Sequence, residues 1–380
     1  MKTLRVLLTA MSIWGLAVAC AASAPERLTR IFMKTPTTGW ALGATPRGDA
    51  LLRTTDGGRH WRNVSPKSIW PLSPARVQAN SDMDGIGDEG IDAYFADGRK
   101  GWVALKDLQG WVRVERTRDG GKHWAGTSFA DRTGVQLLLS FQNARRGCLL
   151  TISDMASGST RKALYRTRDG GRTWTATTGA LPNHIDPAGV RFRSRSEGWL
   201  AAGYHGSDEM PFYHTRDGGR RWRLQEMKTP TAHDFRYGVF DAPRFFGRVN
   251  KVGVLPVRFV EGPQDETAFY VTRDGGATWQ LRCAPALEAY AIVTARHWLG
   301  LDRSGTRLYI TSSSGHSWNR RRLVQRVGGL GHDTSLEFVT TRTGWALIDG
   351  YRVGASTLLQ TRDGGRHWRT IYPLTRRRAL

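Results

Sequence analysis

Two groups of residues in this chain have types and spacings that could do chemistry. The first is Asn80-Ser81-Asp82-Met83-Asp84-Gly85-Ile86-Gly87-Asp88-Glu89, a stretch dense in oxygen ligands. Its alternation, Asn-x-Asp-x-Asp-Gly, matches the opening of a calcium loop, with Gly85 supplying the sharp turn. Asn80, Asp82, Asp84 and Asp88 are the candidate calcium ligands. The match is incomplete, because Ile91 stands where such a loop needs its bidentate glutamate. Calcium therefore competes with a merely solvated acidic loop and with a loop that pairs with arginines of the same protein. The second group is arginine. Arg191, Arg193 and Arg195 alternate with Val190, Phe192 and Ser194, and period-two alternation puts all three on one side of a strand. If that strand lines a channel, the three form a basic mouth, with Arg145 and Arg146 in the equivalent turn one repeat earlier. Guanidinium forks offer bidentate recognition of carboxylate or phosphate. Arg320, Arg321 and Arg322, and the tail Arg376, Arg377 and Arg378, are further clusters, for which a solvated surface is the plain alternative.

Catalytic sets are conspicuous by what the sequence lacks. There is no His-Glu-x-x-His, no Cys-x-x-Cys, no phosphate loop and no Gly-x-Ser-x-Gly elbow. No carboxylate pair can be nominated at a defensible separation. The sequence thus points away from an enzyme and names no catalytic residue.

The elements that position these groups are repeats. Thr117-Arg118-Asp119-Gly120-Gly121-Lys122-His123-Trp124 is one copy of a frame, Thr-x-Asp-Gly-Gly-x-x-Trp. It recurs at 54–61, 167–174, 215–222, 272–279 and 361–368, with a degenerate copy at 311–318 in which Ser313 replaces the aspartate. Copies fall roughly fifty residues apart, a propeller-blade spacing. Asp-Gly-Gly supplies residues that tolerate positive φ, the aspartate accepts backbone N–H groups across its own turn, and the tryptophan starts the returning strand. Asp56, Asp119, Asp169, Asp217, Asp274 and Asp363 are therefore structural.

A second element, Gly-Trp followed by apolar residues, precedes most copies, as at Gly39-Trp40, Gly101-Trp102, Gly198-Trp199 and Gly344-Trp345. Such runs read as strands whose tryptophans pack between repeats. The units run over about 28–64, 91–129, 134–181, 189–227, 240–283, 289–324 and 336–372. The fold class read from this is all-β: a single seven-bladed β-propeller with the repeated turn in each blade, degenerate in the sixth. The ring is expected to close by packing of one blade on the next, since few residues precede Leu28 to lend a strand.

The chain ends add an address. A basic start, Met1 to Arg5, precedes the apolar run Val6 to Ala19, too short for a membrane span and typical of a signal peptide. Ala17-Val18-Ala19-Cys20 resembles a bacterial lipobox, in which Cys20 is the lipidation site, although Ala17 stands where leucine is preferred. Ordinary cleavage near 19–22 is the rival. The organisation is 1–19 signal peptide, 20–27 linker, 28–375 propeller and 376–380 basic tail, for an exported protein of the bacterial periplasm or envelope, anchored to the membrane if Cys20 is lipidated. Cys148 and Cys283, two repeats apart, are too distant for a disulfide and read as small buried apolar residues. The net charge of +23 would suggest nucleic acid in a cytosolic protein. Export removes that partner and leaves an acidic protein segment or an envelope polyanion.

The repeated frame resembles the Asp-box, or BNR, repeat of sialidases, sortilin-type receptors and photosystem II stability/assembly-factor-like propellers. The last of these is the nearest resemblance and covers almost the whole chain after the leader. It implies an assembly or scaffold protein that contacts partner proteins through an arginine-rich face. The sialidase resemblance implies instead a glycoside hydrolase, but Arg30-Ile31-Phe32 lacks the proline of the sialidase Arg-Ile-Pro stretch, and sialidases have six blades where seven units are counted.

Overall fold

A computed structural model describes the chain from 25 to 372, apart from 26, 46–47, 69–89, 108, 135, 154–159, 205–209, 229–236, 262–263, 329–332 and 351–354. The candidate calcium ligands Asn80, Asp82, Asp84 and Asp88, the leader with Cys20, and the tail with Arg376 to Arg378 lie outside the described residues. The described residues are all-β, with no helix among them.

Every strand pairs antiparallel with its neighbour. The first sheet is Arg27–Met33, Gly39–Thr45, Gly48–Thr54 and Arg62–Asn63, in that order. The second (Ile91–Phe95 to Ala125–Ala130), third (Gln136–Phe141 to Thr175–Ala176), sixth (Ala289–Ile292 to Asn319–Arg322) and seventh (Asp333–Phe338 to Arg369–Tyr372) units repeat this four-strand meander. The fourth and fifth units are joined in one nine-stranded sheet. In the fifth, the inner strand is split into Tyr237–Phe240 and Arg244–Phe246, both pairing with Val252–Glu261. The upper piece also pairs with the fourth unit, Gly203 to Val239 and Tyr204 to Gly238.

Seven hydrophobic clusters lie among the described residues, and each joins two units consecutive in the chain, save one. The exception packs Leu28, Ile31 and Met33 of the first sheet on Trp345, Leu347 and Leu358 of the last. The same seam carries Leu28 N–H donating to Ser356 Oγ at 2.7 Å and Trp345 Nε1 donating to Gly57 O at 2.9 Å. Among the described residues the two sheets share no strand and meet by packing and these hydrogen bonds. The Gly-Trp tryptophans are core: Trp40, Trp199 and Trp345 are fully buried and Trp102 is nearly so. The glycine before each has its own reason. A Cβ on Gly101 would sit 2.4 Å from Phe95, and Gly147, Gly198 and Gly344 meet Phe141, Phe192 and Phe338 in the same way, so the small residue makes room for an inner-strand ring.

The repeated turn is a closed hydrogen-bond cage. In its second copy Thr117 Oγ1 donates to Asp119 Oδ1 at 3.0 Å and accepts Gly121 N–H at 2.9 Å. Asp119 Oδ1 also accepts the N–H groups of Lys122 and His123, and Oδ2 lies 2.6 Å from His123 Nδ1. Gly120 and Gly121 have φ of 79° and 82°, which non-glycine residues rarely adopt. Threonine and aspartate cages of the same form recur at Asp56, Asp169, Asp217, Asp274 and Asp363. Ser313 keeps only part of it, accepting Ser317 N–H at 3.0 Å.

The cage has a pH consequence. Partial burial would raise the carboxyls of Asp169, Asp274 and Asp363, but the donors gathered on each outweigh it and hold all three down at about 2. A group depressed in the folded state stabilises it fully above the unfolded value, and that contribution disappears as pH falls through the folded one. Melting temperature is therefore expected to hold at mildly acid pH and to fall between about pH 4 and pH 2. Thermal scans across that range check this, and Asp363→Asn should shrink the decline.

Cys148 is buried, and burial pushes its thiol up to about 12. Cys283 is not the buried residue the sequence suggests: it ends the outer strand Gln280–Cys283 and is exposed. Outer strands pack on one side only, so an apolar residue type there is not evidence of burial. Both thiols are free.

Candidate functional site

Gly39 pairs with both Met33 and Thr54, so the turn after the inner strand and the repeated turn leave a sheet at the same end. The two are tied together: Gly57 N–H donates to Thr37 O, Gly120 to Arg99 O, Gly170 to Arg145 O and Gly218 to Ser196 O, at 2.7 to 2.9 Å. One end of the molecule therefore carries all these turns, and they are rich in lysine and arginine. The aspartates that could neutralise that charge are already engaged inside their own cages.

On this end Asn143, Arg145, Arg146, Arg168 and Arg195 line an open cleft of about 620 Å³ between the third and fourth units. Its backbone is fixed. Asn143 Oδ1 accepts the N–H groups of Arg145 and Arg146 at 3.0 Å each, and Arg195 O accepts Arg166 Nη2 at 3.1 Å. The four arginines themselves are exposed. Asp169, the nearest repeated-turn carboxylate, accepts from Thr167, Arg172 N–H and Thr173. The lining thus offers guanidinium groups and one amide, and no group that exchanges protons near neutral pH. Such a surface holds carboxylate or phosphate oxygens and cannot act as a general acid or base.

The structure brings together only part of the arginine set expected from the alternation. The fourth inner strand is Pro187–Phe192, so Arg191 is its last channel-facing residue and Arg193 and Arg195 lie in the turn beyond it. Alternation stops where the strand stops, and the three side chains diverge. Arg191 donates to Ser140 Oγ at 3.3 Å and lies over the Tyr94 ring. Arg193 pairs with Glu197 and packs against Gly275 of the next repeated turn. Arg195 alone joins Arg145 and Arg146 in the cleft. The sequence reading missed Arg168. Its signal is the arginine after the threonine of the frame, repeated at Arg118, Arg216, Arg273 and Arg362.

The arginine before the threonine was also missed, and its role is to clasp the next unit. Arg53 donates to Gly98 O, Arg116 to Gly171 O and Arg166 to Gly218 O, at 2.9 to 3.2 Å. Arg166 also stacks 4.0 Å from the Phe192 ring centroid. Because its two bonds pin Gly218 and Arg195 at the cleft wall, Arg166→Met is expected to cost about 2 kcal/mol of stability, read by denaturant unfolding.

The channel holds a second set of ionisable groups. Arg30 pairs with Asp92 at 3.7 Å, while Asp92 Oδ2 accepts Leu139 N–H at 2.7 Å. Tyr290 OH donates to Asp241, and burial with that carboxylate pushes the phenol well above its ordinary value. Glu337 lies here too, raised by burial against the opposing fields of Lys34, Arg244 and Arg30. Carboxylates and arginines therefore do share the channel.

No family model matches the chain, and no curated protein matches it. Among solved structures, YCF48 from Cyanidioschyzon merolae superposes with a TM-score of 0.52 at 17% identity, covering 90% of this chain and 96% of that one. A GH74 enzyme from Niastella koreensis gives 0.54 at 13% identity over 90% of this chain and 53% of its own, so this chain spans about half its length. An uncharacterised protein of Listeria monocytogenes gives 0.52 at 6% identity, covering 91% and 94%. The molecule has a β-propeller fold. These identities carry the fold and nothing of the chemistry, which rests on the propeller's own residues.

Proposed function

We propose that this propeller is a non-catalytic binding or scaffold protein, akin in role to the assembly-factor propellers it resembles, whose basic end receives an acidic protein segment. The observation that carries this is the cleft of Arg145, Arg146, Arg168 and Arg195, cationic, open and backbone-braced, with its nearby aspartate already saturated. The reading includes seven blades, each with an Asp-box turn and the sixth degenerate. The seven inter-unit clusters and the recurrent threonine–aspartate cages support it. It also includes export and lipidation at Cys20, which rest on the leader residues alone. The test is binding of a fluorescent oligoglutamate peptide to the wild-type protein and to Arg145→Glu/Arg146→Glu. An undiminished affinity in the variant would overturn the reading.

A second reading, a glycoside hydrolase, is favoured by the carboxylates and arginines that meet in the channel. Two of those carboxylates are occupied, Asp92 by backbone N–H groups and Arg30, and Asp241 by Tyr290. Release of reducing sugar from plant or microbial polysaccharides, lost in Glu337→Gln, would establish this reading in place of the first.

A further inference from the structure

The outer strands of the units differ in length and in how their free edges are guarded. Those of the first, third and fourth units have two residues each, and those of the fifth, sixth and seventh have four. Except for the two-residue strand of the third unit, each of these contains at least one arginine. A short edge or a charged one discourages the addition of a further strand. The second unit has neither protection. Its outer strand, Ala125–Ala130, runs for six residues, Ala-Gly-Thr-Ser-Phe-Ala, with no charge and no proline, and it is the last strand of its sheet.

The register fixes which backbone groups that edge presents. Asp131 N–H donates to Gly110 O at 2.8 Å, and the ladder continues from that pair through Ala130 opposite Trp111 to Ala125 opposite Arg116. In an antiparallel pair, hydrogen-bonded and non-hydrogen-bonded positions alternate. Ala125, Thr127 and Phe129 therefore turn their N–H and C=O groups inward to the strand Trp111–Thr117, and Gly126, Ser128 and Ala130 turn theirs outward. Among the described residues those outward groups have no partner. Side chains hold the strand in this register. Thr127 Oγ1 donates to Arg172 O at 3.0 Å, and the Phe129 ring centroid lies 4.5 Å from that of Tyr165, both in the third unit. On the opposite face Gly126 leaves room for the Arg113–Glu115 ion pair, since a Cβ there would come within 2.5 Å of Glu115 Oε1. The edge is thus fixed from both faces and open along its length.

We propose that Ala125–Ala130 is a strand-addition site, which takes an extended, acidic segment of a partner protein as a fifth strand of the second unit. In this mode backbone hydrogen bonds supply the affinity and flanking side chains the selectivity. The charge around the edge selects the occupant. Lys122 and Arg172 are exposed beside it, and Arg113 is half-exposed. The nearby carboxylates are engaged: Asp119 in its cage, Glu115 buried and paired with Arg113, and Asp131 buried against Lys106 Nζ at 3.1 Å. An acidic strand therefore meets cations along this edge. A second copy would bring the same cations edge to edge, in a chain of net charge +23, so self-pairing is disfavoured. The site is separate from the cleft of Arg145 and Arg146, which lies between the third and fourth units, and it does not depend on that cleft.

Residue-resolved amide exchange of the full chain tests the proposal, with a peptide of alternating threonine and glutamate as the probe. The peptide should slow exchange at Gly126, Ser128 and Ala130 at least about tenfold, and leave Ala125, Thr127 and Phe129, whose N–H groups are already bonded, nearly unchanged. The same peptide N-methylated at every residue keeps its charge and loses its donors, and should bind more weakly on the order of 100-fold. Ser128→Pro removes an outward N–H group at an edge position where proline is tolerated, and should weaken binding at least about tenfold. Ala130→Pro should do the same and carries the test should Ser128→Pro fail to fold. Arg145→Glu/Arg146→Glu should leave the slowed exchange unchanged, and Ser128→Pro should leave oligoglutamate binding at the cleft unchanged, so the two sites are read apart. No slowing at the three amides, slowing that persists with the N-methylated peptide or in the proline variants, or its loss in the Arg145/Arg146 variant would each refute the site. Protection of the three amides without peptide that fades on dilution would put a second copy on the edge and overturn the acidic partner.

Discussion

Replacing Trp345 by alanine is expected to lower the unfolding free energy by about 3–5 kcal/mol, the largest stability effect of any substitution considered. The side chain is fully buried at the seam between the last sheet and the first. It fills the cluster with Leu28, Ile31 and Met33, and its indole N–H satisfies Gly57 O in a repeated turn 288 residues away in sequence. Deleting it opens a cavity and strands that carbonyl. The equivalent Trp102 bonds Gly170 O across a seam whose two sheets are also linked by the chain. At the Trp345 seam no described residues run directly from one sheet to the other, so opening there is expected to be the easiest local unfolding. Trp345→Ala should therefore also bring the first proteolytic cuts to the first and last units, whereas Trp102→Ala should unfold more nearly as a whole. Denaturant melts and mapped proteolysis read both effects, and a Trp345→Ala protein as stable as wild type would mean that the seam is held by other contacts.

Arg145→Glu/Arg146→Glu should weaken oligoglutamate binding on the order of 100-fold. Each charge-assisted contact contributes about 1–2 kcal/mol, and each 1.4 kcal/mol is a factor of ten. Overall charge is the competing explanation in a chain of net charge +23. The control is Arg132→Glu/Arg161→Glu, which changes charge equally at exposed positions on the opposite end. If the cleft is the site, the control loses a few-fold at most. If the field of the whole protein is responsible, both variants lose alike and the cleft has no special part. Binding should fall as salt rises in the wild-type protein, because exposed pairs are screened, and the cleft variant should lose most of that salt dependence.

These expectations draw on two kinds of information, and the residues show the division. The repeated turn is local: Thr117, Asp119, Gly121 and His123 contact one another within a few positions, so their types and spacing already specify the cage. The Gly-Trp strands are nearly as local, since alternation and burial of tryptophan follow from a sheet packed on a sheet. Sequence alone therefore determined an all-β repeat architecture, the structural role of the aspartates, the core role of the tryptophans and a strongly basic chain.

Tertiary structure decided where that charge acts. Arg191, Arg193 and Arg195 look equivalent until the strand ends at Phe192, a boundary set by where the sheet stops pairing, and only then do they part to channel, ion pair and cleft. Arg168 reaches the same cleft from another turn, and Leu28 and Ser356 meet at the seam between the first and last sheets, 328 residues apart in sequence. Such meetings depend on register and on how blades pack around the ring. No local propensity encodes them, because the side chains that meet share no segment of backbone.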